Sequence, residues 1–416
     1  MSDGRLLSIN NYHYRRGGAD IVYLEHAAMF EQLGWASAHF AMRHPRNLPS
    51  PWSEHFVDEI ELGGQYTFAE KVSKSLKVIY SLEARRKLDR VIQDFRPTIA
   101  HLHNIYHHLS PSILHTLRDR GVPVVLTAHD LKIACPNYRM LSGGEICERC
   151  KGGRYHNVVL RRCVHGSLPA SILVSMEATL HSMLETYRRH VDRIVVPSRF
   201  FLDKFVEWGW SPGKFTYIPN FVDSQALEPD FEAGGYILYF GRLSKEKGLD
   251  TLVHAAAAAA VPLKIAGTGP DEEQVRSTAA ALGADVDFLG FRSGKDLHDL
   301  IRQSRAVVLP SEWYENAPLS VLESFALGKP VMGARIGGIP ELIEPGSTGW
   351  LFDSGNREML AELLREVCAI APGDIARMGR AARASAEQRF SRSAYLRSTL
   401  DLYEEVADGH PSRRTA

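Results

Sequence analysis

Short, uniformly apolar runs recur along the whole chain, and each is followed by a longer stretch whose apolar residues fall at helical spacing. Strands that read as continuous apolar runs are buried on both faces, and such strands belong to parallel sheets covered by crossover helices. The pattern predicts strands over 5–9, 36–41, 98–103, 123–128 and 193–197 in the first half, and over 236–240, 263–266, 286–289, 306–309 and 330–333 in the second. Helices are expected between them, among others over 21–33, 67–95, 168–190, 271–282, 295–303 and 319–327. A chain of 416 residues exceeds what one hydrophobic core supports, since cores stop growing beyond about 250–300 residues. The expected fold class is therefore α/β, with two Rossmann-like doubly wound domains. The stretch 220–235, which holds Pro229 and the pair Gly234 and Gly235, reads as a linker, so one domain is expected over 1–220 and the other over 221–392. A last helix over about 393–408 is expected to pack back on the first domain, with a fraying polar tail after Asp408. Doubly wound domains bind ligands outside the carboxyl ends of their strands, so two of them facing across a cleft hold one substrate apiece.

Charge narrows the partners only when the chain is divided. Lys+Arg and Asp+Glu both number 49, but up to Val222 there are 28 basic against 21 acidic residues and beyond it 21 against 28, which gives +7 and −7. A basic first half suits an anionic lipid surface or a phosphate-bearing acceptor, and it equally suits an ordinary solvated face. No nucleic-acid partner is expected. Five cysteines in this length are not a disulfide scaffold. The first eight residues lack a basic segment followed by a long apolar run, and no stretch of about 18 apolar residues occurs. The expected location is the cytoplasm, with peripheral contact at the inner face of the membrane left open.

The chemistry concentrates in the second half. The predicted strand 236–240 runs into Gly241-Arg242-Leu243-Ser244-Lys245-Glu246-Lys247-Gly248. Gly241 lets the chain turn sharply there, and Arg242 and Lys247 fall at the strand's carboxyl end. Two fixed cations at that place suit a diphosphate, whose negative charge grows as a bond to it breaks. A second strand end carries Gly267-Thr268-Gly269, glycines that permit close backbone approach to a ligand. The longest signal is Ser311-Glu312-Trp313-Tyr314-Glu315-Asn316-Ala317-Pro318-Leu319-Ser320-Val321-Leu322-Glu323. Pro318 suits the first turn of a helix and Gly328 its end. The free amides around Leu319 and Ser320 would then form an anion site. Carboxylates at Glu315 and Glu323 beside such a site suit a phosphate that is attached to hydroxyl-rich sugars.

Glu315 and Glu323, with seven residues between them, resemble the E-x7-E motif of the family-4 retaining glycosyltransferases, which have the GT-B fold. The resemblance extends almost end to end, through Arg15-Arg16-Gly17-Gly18-Ala19, Val196-Pro197-Ser198, Ile218-Pro219-Asn220, Gly337-Gly338-Ile339-Pro340-Glu341 and Gly349-Trp350-Leu351. It implies transfer of a hexose-type sugar from a UDP- or GDP-sugar, with retention and without a catalytic metal. The acceptor it implies is a glycan, a lipid-linked or a small-molecule hydroxyl, in surface polysaccharide or glycoconjugate biosynthesis. By the same resemblance Arg242 and Lys247 hold the donor diphosphate, Glu315 contacts the transferred sugar and Glu323 binds the ribose. Asn316, Leu319, Ser320, Gly267 and Gly269 belong to the donor site, and backbone groups near Phe291 face the base. The loop at Gly17 and Gly18 closes over the phosphates and the acceptor. His129 lies beside the reacting sugar and contributes through its backbone carbonyl.

Two features of the first half stand apart. His101, His103, His107 and His108 surround a predicted strand end, where at least one is expected to line the acceptor side and the rest to be surface residues. Cys135, Cys147, Cys150 and Cys163 are spaced C-x11-C-x2-C-x12-C in a Gly- and Arg-rich insertion, a departure from the family pattern. The spacing resembles a closed tetrahedral zinc site, with an iron–sulfur cluster or free thiols as alternatives. A metal there is expected to stabilise the insertion and shape the acceptor pocket, with no catalytic role. Two rival functions remain open: a nucleotide-sugar epimerase of the same architecture, which needs dedicated acid/base carboxylates, and a non-catalytic binding protein with the cysteine insertion as an interaction knuckle.

Overall fold

The computed structural model describes residues 4–60 and 67–409; the predicted fraying tail lies almost wholly in 410–416, outside the described residues. The first half supplies β1 (Arg5–Ile9), β2 (Ala36–Phe40), β3 (Ile99–Leu102), β4 (Val124–Thr127), the small hairpin of β5 (Leu141–Ser142) and β6 (Glu145–Ile146), β7 (Arg193–Val196) and β8 (Phe215–Tyr217). Apart from the hairpin they form a six-stranded parallel sheet in the order β2-β1-β3-β4-β7-β8. The second half supplies β9 (Ile237–Phe240), β10 (Leu263–Ala266), β11 (Val286–Gly290), β12 (Ala306–Leu309), β13 (Val331–Ala334) and β14 (Gly349–Phe352). These form a second six-stranded parallel sheet, ordered β11-β10-β9-β12-β13-β14. Every residue of β3, β4, β9 and β12 is buried, as continuous apolar runs covered on both faces require.

Strand order reverses beside β1 in the first sheet and between β9 and β12 in the second. Crevices open at such switch points because the connecting helices depart to opposite faces. The loops that follow β9 and β12 are those at 241–248 and 310–318, so the two strongest sequence motifs meet at one switch point.

Three expectations need correction. The helix foreseen over 67–95 is two, Phe68–Ile79 and Leu82–Phe95, because Ser81 accepts the N–H of Ala84 at 3.1 Å and starts the second. The helix foreseen over 168–190 divides at Glu185, whose φ is +50°. The edge strands β8 and β14 escaped the sequence pattern, being short and carrying Thr216 or opening on Gly349.

The helix Arg392–Gly409 lies on the first sheet, where Tyr395, Leu402, Tyr403 and Val406 pack with Leu6, Val22, Ile99, Val125 and Val195. The linker is held to the second domain instead. Arg383 donates to the carbonyls of Ser224 at 2.6 Å and Leu227 at 2.8 Å, and also to that of Ala326. Among the described residues no helix is long and apolar enough to cross a membrane.

Candidate active site

At the second domain's switch point Lys247 Nζ lies 2.6 Å from Glu315 Oε1, and Ser311 Oγ donates to the same oxygen at 2.6 Å. Glu315 is buried. Burial alone would raise its carboxyl, but the charge and hydrogen bond of Lys247 outweigh that and hold it below the usual range. It is a carboxylate at neutral pH. One turn into the helix that follows, Glu323 is half-buried with no cation facing it among the described residues, and burial pushes its carboxyl up to about 7. Between them the helix Leu319–Ala326 begins at Pro318, which offers no side-chain cap. The first N–H groups of a helix have no intrahelical partner, so those of Leu319 and Ser320 remain for an anion. Arg242 is exposed at the mouth of this site and its side chain makes no ion pair among the described residues.

The glycines of 267–269 allow close packing within the second domain. A Cβ on Gly267, where φ is +151°, would lie 1.8 Å from Gly241 O, and one on Gly269 would lie 2.1 Å from Leu243 O. They let the loop after β10 pack against the loop that carries Arg242, so the close approach is chain to chain. Phe291 follows β11 at the sheet's edge and is exposed.

The first domain meets this site closely. A Cβ on Gly18 would stand 3.5 Å from Leu319 Cδ1, so the loop of Gly17 and Gly18 abuts the start of the helix. Asn10 organises that loop: it donates to Asp20 at 2.8 Å and accepts the N–H of Asn104 at 3.0 Å, joining the loops after β1 and β3. Asn316 is an interdomain tie. It donates to the carbonyls of Ala128 at 3.0 Å and His129 at 3.3 Å, and accepts from Ser198 Oγ at 2.8 Å. Glu341 accepts the N–H groups of Arg199 and Phe200 at 2.8 and 2.6 Å. From the cysteine insertion, Glu148 accepts from Tyr314 Oη at 2.9 Å, one residue before Glu315.

The histidines are interior groups. His101 and His103 are fully buried, His108 is buried and His107 half-buried, so the expectation of surface histidines is corrected. His129 Nε2 lies 2.8 Å from His103 Nδ1, and the two rings stack at 5.1 Å. His103 stacks in turn on His101 at 4.8 Å. His101 Nδ1 and His26 Nε2 share Tyr403 Oη at 2.5 and 2.8 Å, and His26 Nδ1 reaches Tyr395 Oη at 2.9 Å. Burial lowers every member, His129 to about 4, so the row is neutral and works through hydrogen bonds. Sequence reasoning had no signal for His26, Tyr395 or Tyr403 in this row.

The cysteines also differ from expectation. Cys135 and Cys150 are buried and pack with Met140 and Val158, while Cys147 and Cys163 are half-buried. Burial pushes Cys135 up to about 11; burial and then the neighbouring thiols push Cys150 up to about 12. Among the described residues no group of three or more His, Cys, Asp or Glu is arranged to hold a metal ion. The structure therefore does not support the zinc or iron–sulfur site foreseen from Cys135, Cys147, Cys150 and Cys163, although the other three thiols all act on Cys150.

Two Rossmann-like domains face to face, with cations and a bare helix start at one switch point, make up the GT-B fold. A family model described as Glycosyltransferase Family 4 matches residues 16–226, and one described as Glycosyl transferases group 1 matches residues 228–385. The chain belongs to glycosyltransferase family 4. It is 28% identical over 330 residues to a D-inositol 3-phosphate glycosyltransferase of Saccharomonospora viridis, covering 72% of this chain and 69% of that one. It is 28% identical over 183 residues to the amylovoran biosynthesis glycosyltransferase AmsK of Erwinia amylovora, covering 41% and 45%. Over 266 residues it is 25% identical to a protein of the cps region of Klebsiella pneumoniae, covering 64% of each. The chain thus spans less than two thirds of the latter two. Among solved structures, an Anabaena protein, HepE, in complex with UDP and glucose matches with a TM-score of 0.69 at 18% identity, over 97% of this chain and all of that one. A sucrose-phosphate synthase of Thermosynechococcus elongatus matches with a TM-score of 0.68 at 19% identity, over 98% and 99%.

Proposed function

We propose that this chain moves a hexose-type sugar, with retention of anomeric configuration, from a UDP- or GDP-sugar to a hydroxyl of a glycan or lipid-linked acceptor in surface polysaccharide biosynthesis. The observation that carries the reading is the ion pair of Lys247 with Glu315 beside the uncapped start of the helix Leu319–Ala326. In this reading Arg242, Lys247 and the Leu319 and Ser320 amides stabilise the departing diphosphate, so the positive charge comes from the protein. Glu315 accepts hydroxyls of the transferred sugar and Glu323 those of the ribose. The bond from the anomeric carbon to the diphosphate breaks and the acceptor oxygen bonds to that carbon from the same face. The acceptor's proton passes to a departing phosphate oxygen. The His129 carbonyl, already an acceptor for Asn316, is placed to take a sugar hydroxyl, while its neutral imidazole stays with His103.

Polysaccharide chemistry is supported by the likeness to AmsK, an amylovoran biosynthesis glycosyltransferase, and by the UDP and glucose bound in HepE. A lipid-linked acceptor is supported by the flank of the first domain. There Leu168, Ile172, Met176 and Met183 are exposed at helical spacing, and exposed Leu160 precedes Arg161 and Arg162. An apolar stripe with neighbouring cations suits the interface of an anionic membrane.

Incubation with a panel of UDP- and GDP-sugars should release nucleoside diphosphate slowly from one of them without acceptor, and NMR of the product should show the donor's anomeric configuration kept. Inverted product, or no release from any donor, would overturn the reading. Glu315→Gln should lower turnover at least a hundredfold, about 2.7 kcal/mol, with UDP affinity nearly unchanged, measured by initial rates and calorimetry.

A further inference from the structure

A cavity of about 250 Å³ lies on the first domain, between the start of the cysteine insertion and the segment that leads into β8, and it shares no residue with the donor site. Its wall includes Lys132, Tyr155, Glu177, Arg188, Trp208 and Trp210. Glu177 is 1% exposed; Lys132 Nζ binds its Oε2 at 2.7 Å, and its Oε1 is buried without a hydrogen-bond partner among the described residues. Trp208 Nε1 is likewise buried without a partner among them. Buried polar atoms are almost always hydrogen-bonded, so an acceptor and a donor left unmatched around one cavity point to something that fills it.

The charges restrict what that is. Lys132 and Glu177 neutralise each other, and Lys132 also donates to Pro136 O at 3.1 Å. Arg188 lies over the Trp210 ring at 4.2 Å and donates to Gly209 O at 3.0 Å, while Glu185 pairs with Arg189 at 2.6 Å. Of the charges in the wall only that of Arg188 has no carboxylate partner among the described residues, and its guanidinium is already held by the Trp210 ring and the Gly209 carbonyl, so the ligand needs no charge of its own. The space far exceeds the roughly 10–15 Å³ one water needs, yet falls just under the pockets of about 300–1,000 Å³ that take drug-sized ligands. A pyranose matches these constraints: its hydroxyls both donate and accept, and its C–H faces suit indole and phenol rings. We infer that this cavity binds one neutral hexose-type sugar unit, either a free monosaccharide or one residue of a glycan chain, apart from the cleft where transfer takes place.

The test uses the full chain with its donor site filled by UDP, and follows tryptophan fluorescence while methyl α-glucoside, methyl α-galactoside or maltotetraose is titrated in. A saturable change with at least one of them is expected. A response to the methyl hexosides identifies a monosaccharide site, and a response to maltotetraose alone identifies a glycan-chain site. Ala178→Phe, which adds a ring to the cavity wall and removes no polar atom, should abolish the change while the thermal shift produced by UDP is kept. Glu177→Gln should weaken the sugar at least tenfold. The inference is overturned by no saturable response, by an equal response in Ala178→Phe, or by an equal response to inorganic phosphate. Because no readout needs turnover, it stands or falls separately from the proposed transferase activity.

Discussion

Glu315 and Glu323 are one residue type in one motif, and their surroundings part them. Lys247 keeps the first ionised against burial, whereas nothing opposes burial at the second, whose carboxyl stands near 7. As pH rises through 7 Glu323 therefore turns from a protonated acid into a carboxylate that can accept two ribose hydroxyls. UDP should bind roughly fivefold more weakly at pH 6 than at pH 8, the difference of about 1 kcal/mol between a charged and a neutral acceptor, and Glu323→Gln should flatten that dependence in calorimetry. Without ligand the sign is the opposite. A carboxyl raised from 4.5 to about 7 loses the protein stability as pH climbs through that window. The two cations separate in a similar way. Arg242→Ala and Lys247→Ala should each weaken UDP by about 1.5–3 kcal/mol. Only Lys247→Ala should also lower the melting temperature of the unliganded protein, because it strips Glu315 of its buried partner. Arg242, Lys247 and Glu315 sit on short loops at strand ends and Glu323 one turn into the helix that follows, so position along the chain settles position in space. The histidine row was not legible, since Tyr403 and Tyr395 lie hundreds of residues from His101 and His26.

At the scale of elements, strands with fully buried faces announced themselves as apolar runs, and ten were placed within two residues. What failed was local chemistry that overrides periodicity, as when Ser81 caps a second helix inside one amphipathic stretch. The helix Arg392–Gly409 shows the opposite case, an element easy to foresee whose contacts are not. Its Tyr403 hydroxyl sits between His101 and His26 in the interior of the first domain. Tyr403→Phe should cost about 1–3 kcal/mol, because two buried imidazole nitrogens lose their shared partner. Chemical denaturation followed by circular dichroism should show the loss in the transition of the first domain, and an unchanged midpoint would contradict the assigned contacts. The cysteine spacing does bring thiols together, since Cys135, Cys147 and Cys163 all act on Cys150, but Cys135 and Cys150 lie in the apolar core and no metal-holding group forms among the described residues.

For the molecule as a whole, the link that matters is a single amide. Asn316 follows Glu315 in one domain and donates to two carbonyls at the end of β4 in the other. Asn316→Ala should loosen the facing arrangement, raising the donor KM several-fold and speeding hydrogen exchange in the loops after β4 and β12, with little change in the cores. Protection equal to that of the unmutated protein would show that Glu341 and Glu148 suffice to hold the domains.

The last helix has a further consequence, in time instead of space. His101 and Tyr403 are 302 positions apart, and ribosomes add about 5–20 residues per second. Val195 precedes Tyr403 by 208 positions, so a nascent first domain waits roughly 10–40 s with Leu6, Ile99, Val125 and Val195 only partly covered, by the helix that carries Val22, Met29 and Phe30, while the whole second domain is made and folds beside it. The first domain to leave the ribosome is thus the last to be completed, and its apolar sheet face is where chaperones should engage this chain during synthesis.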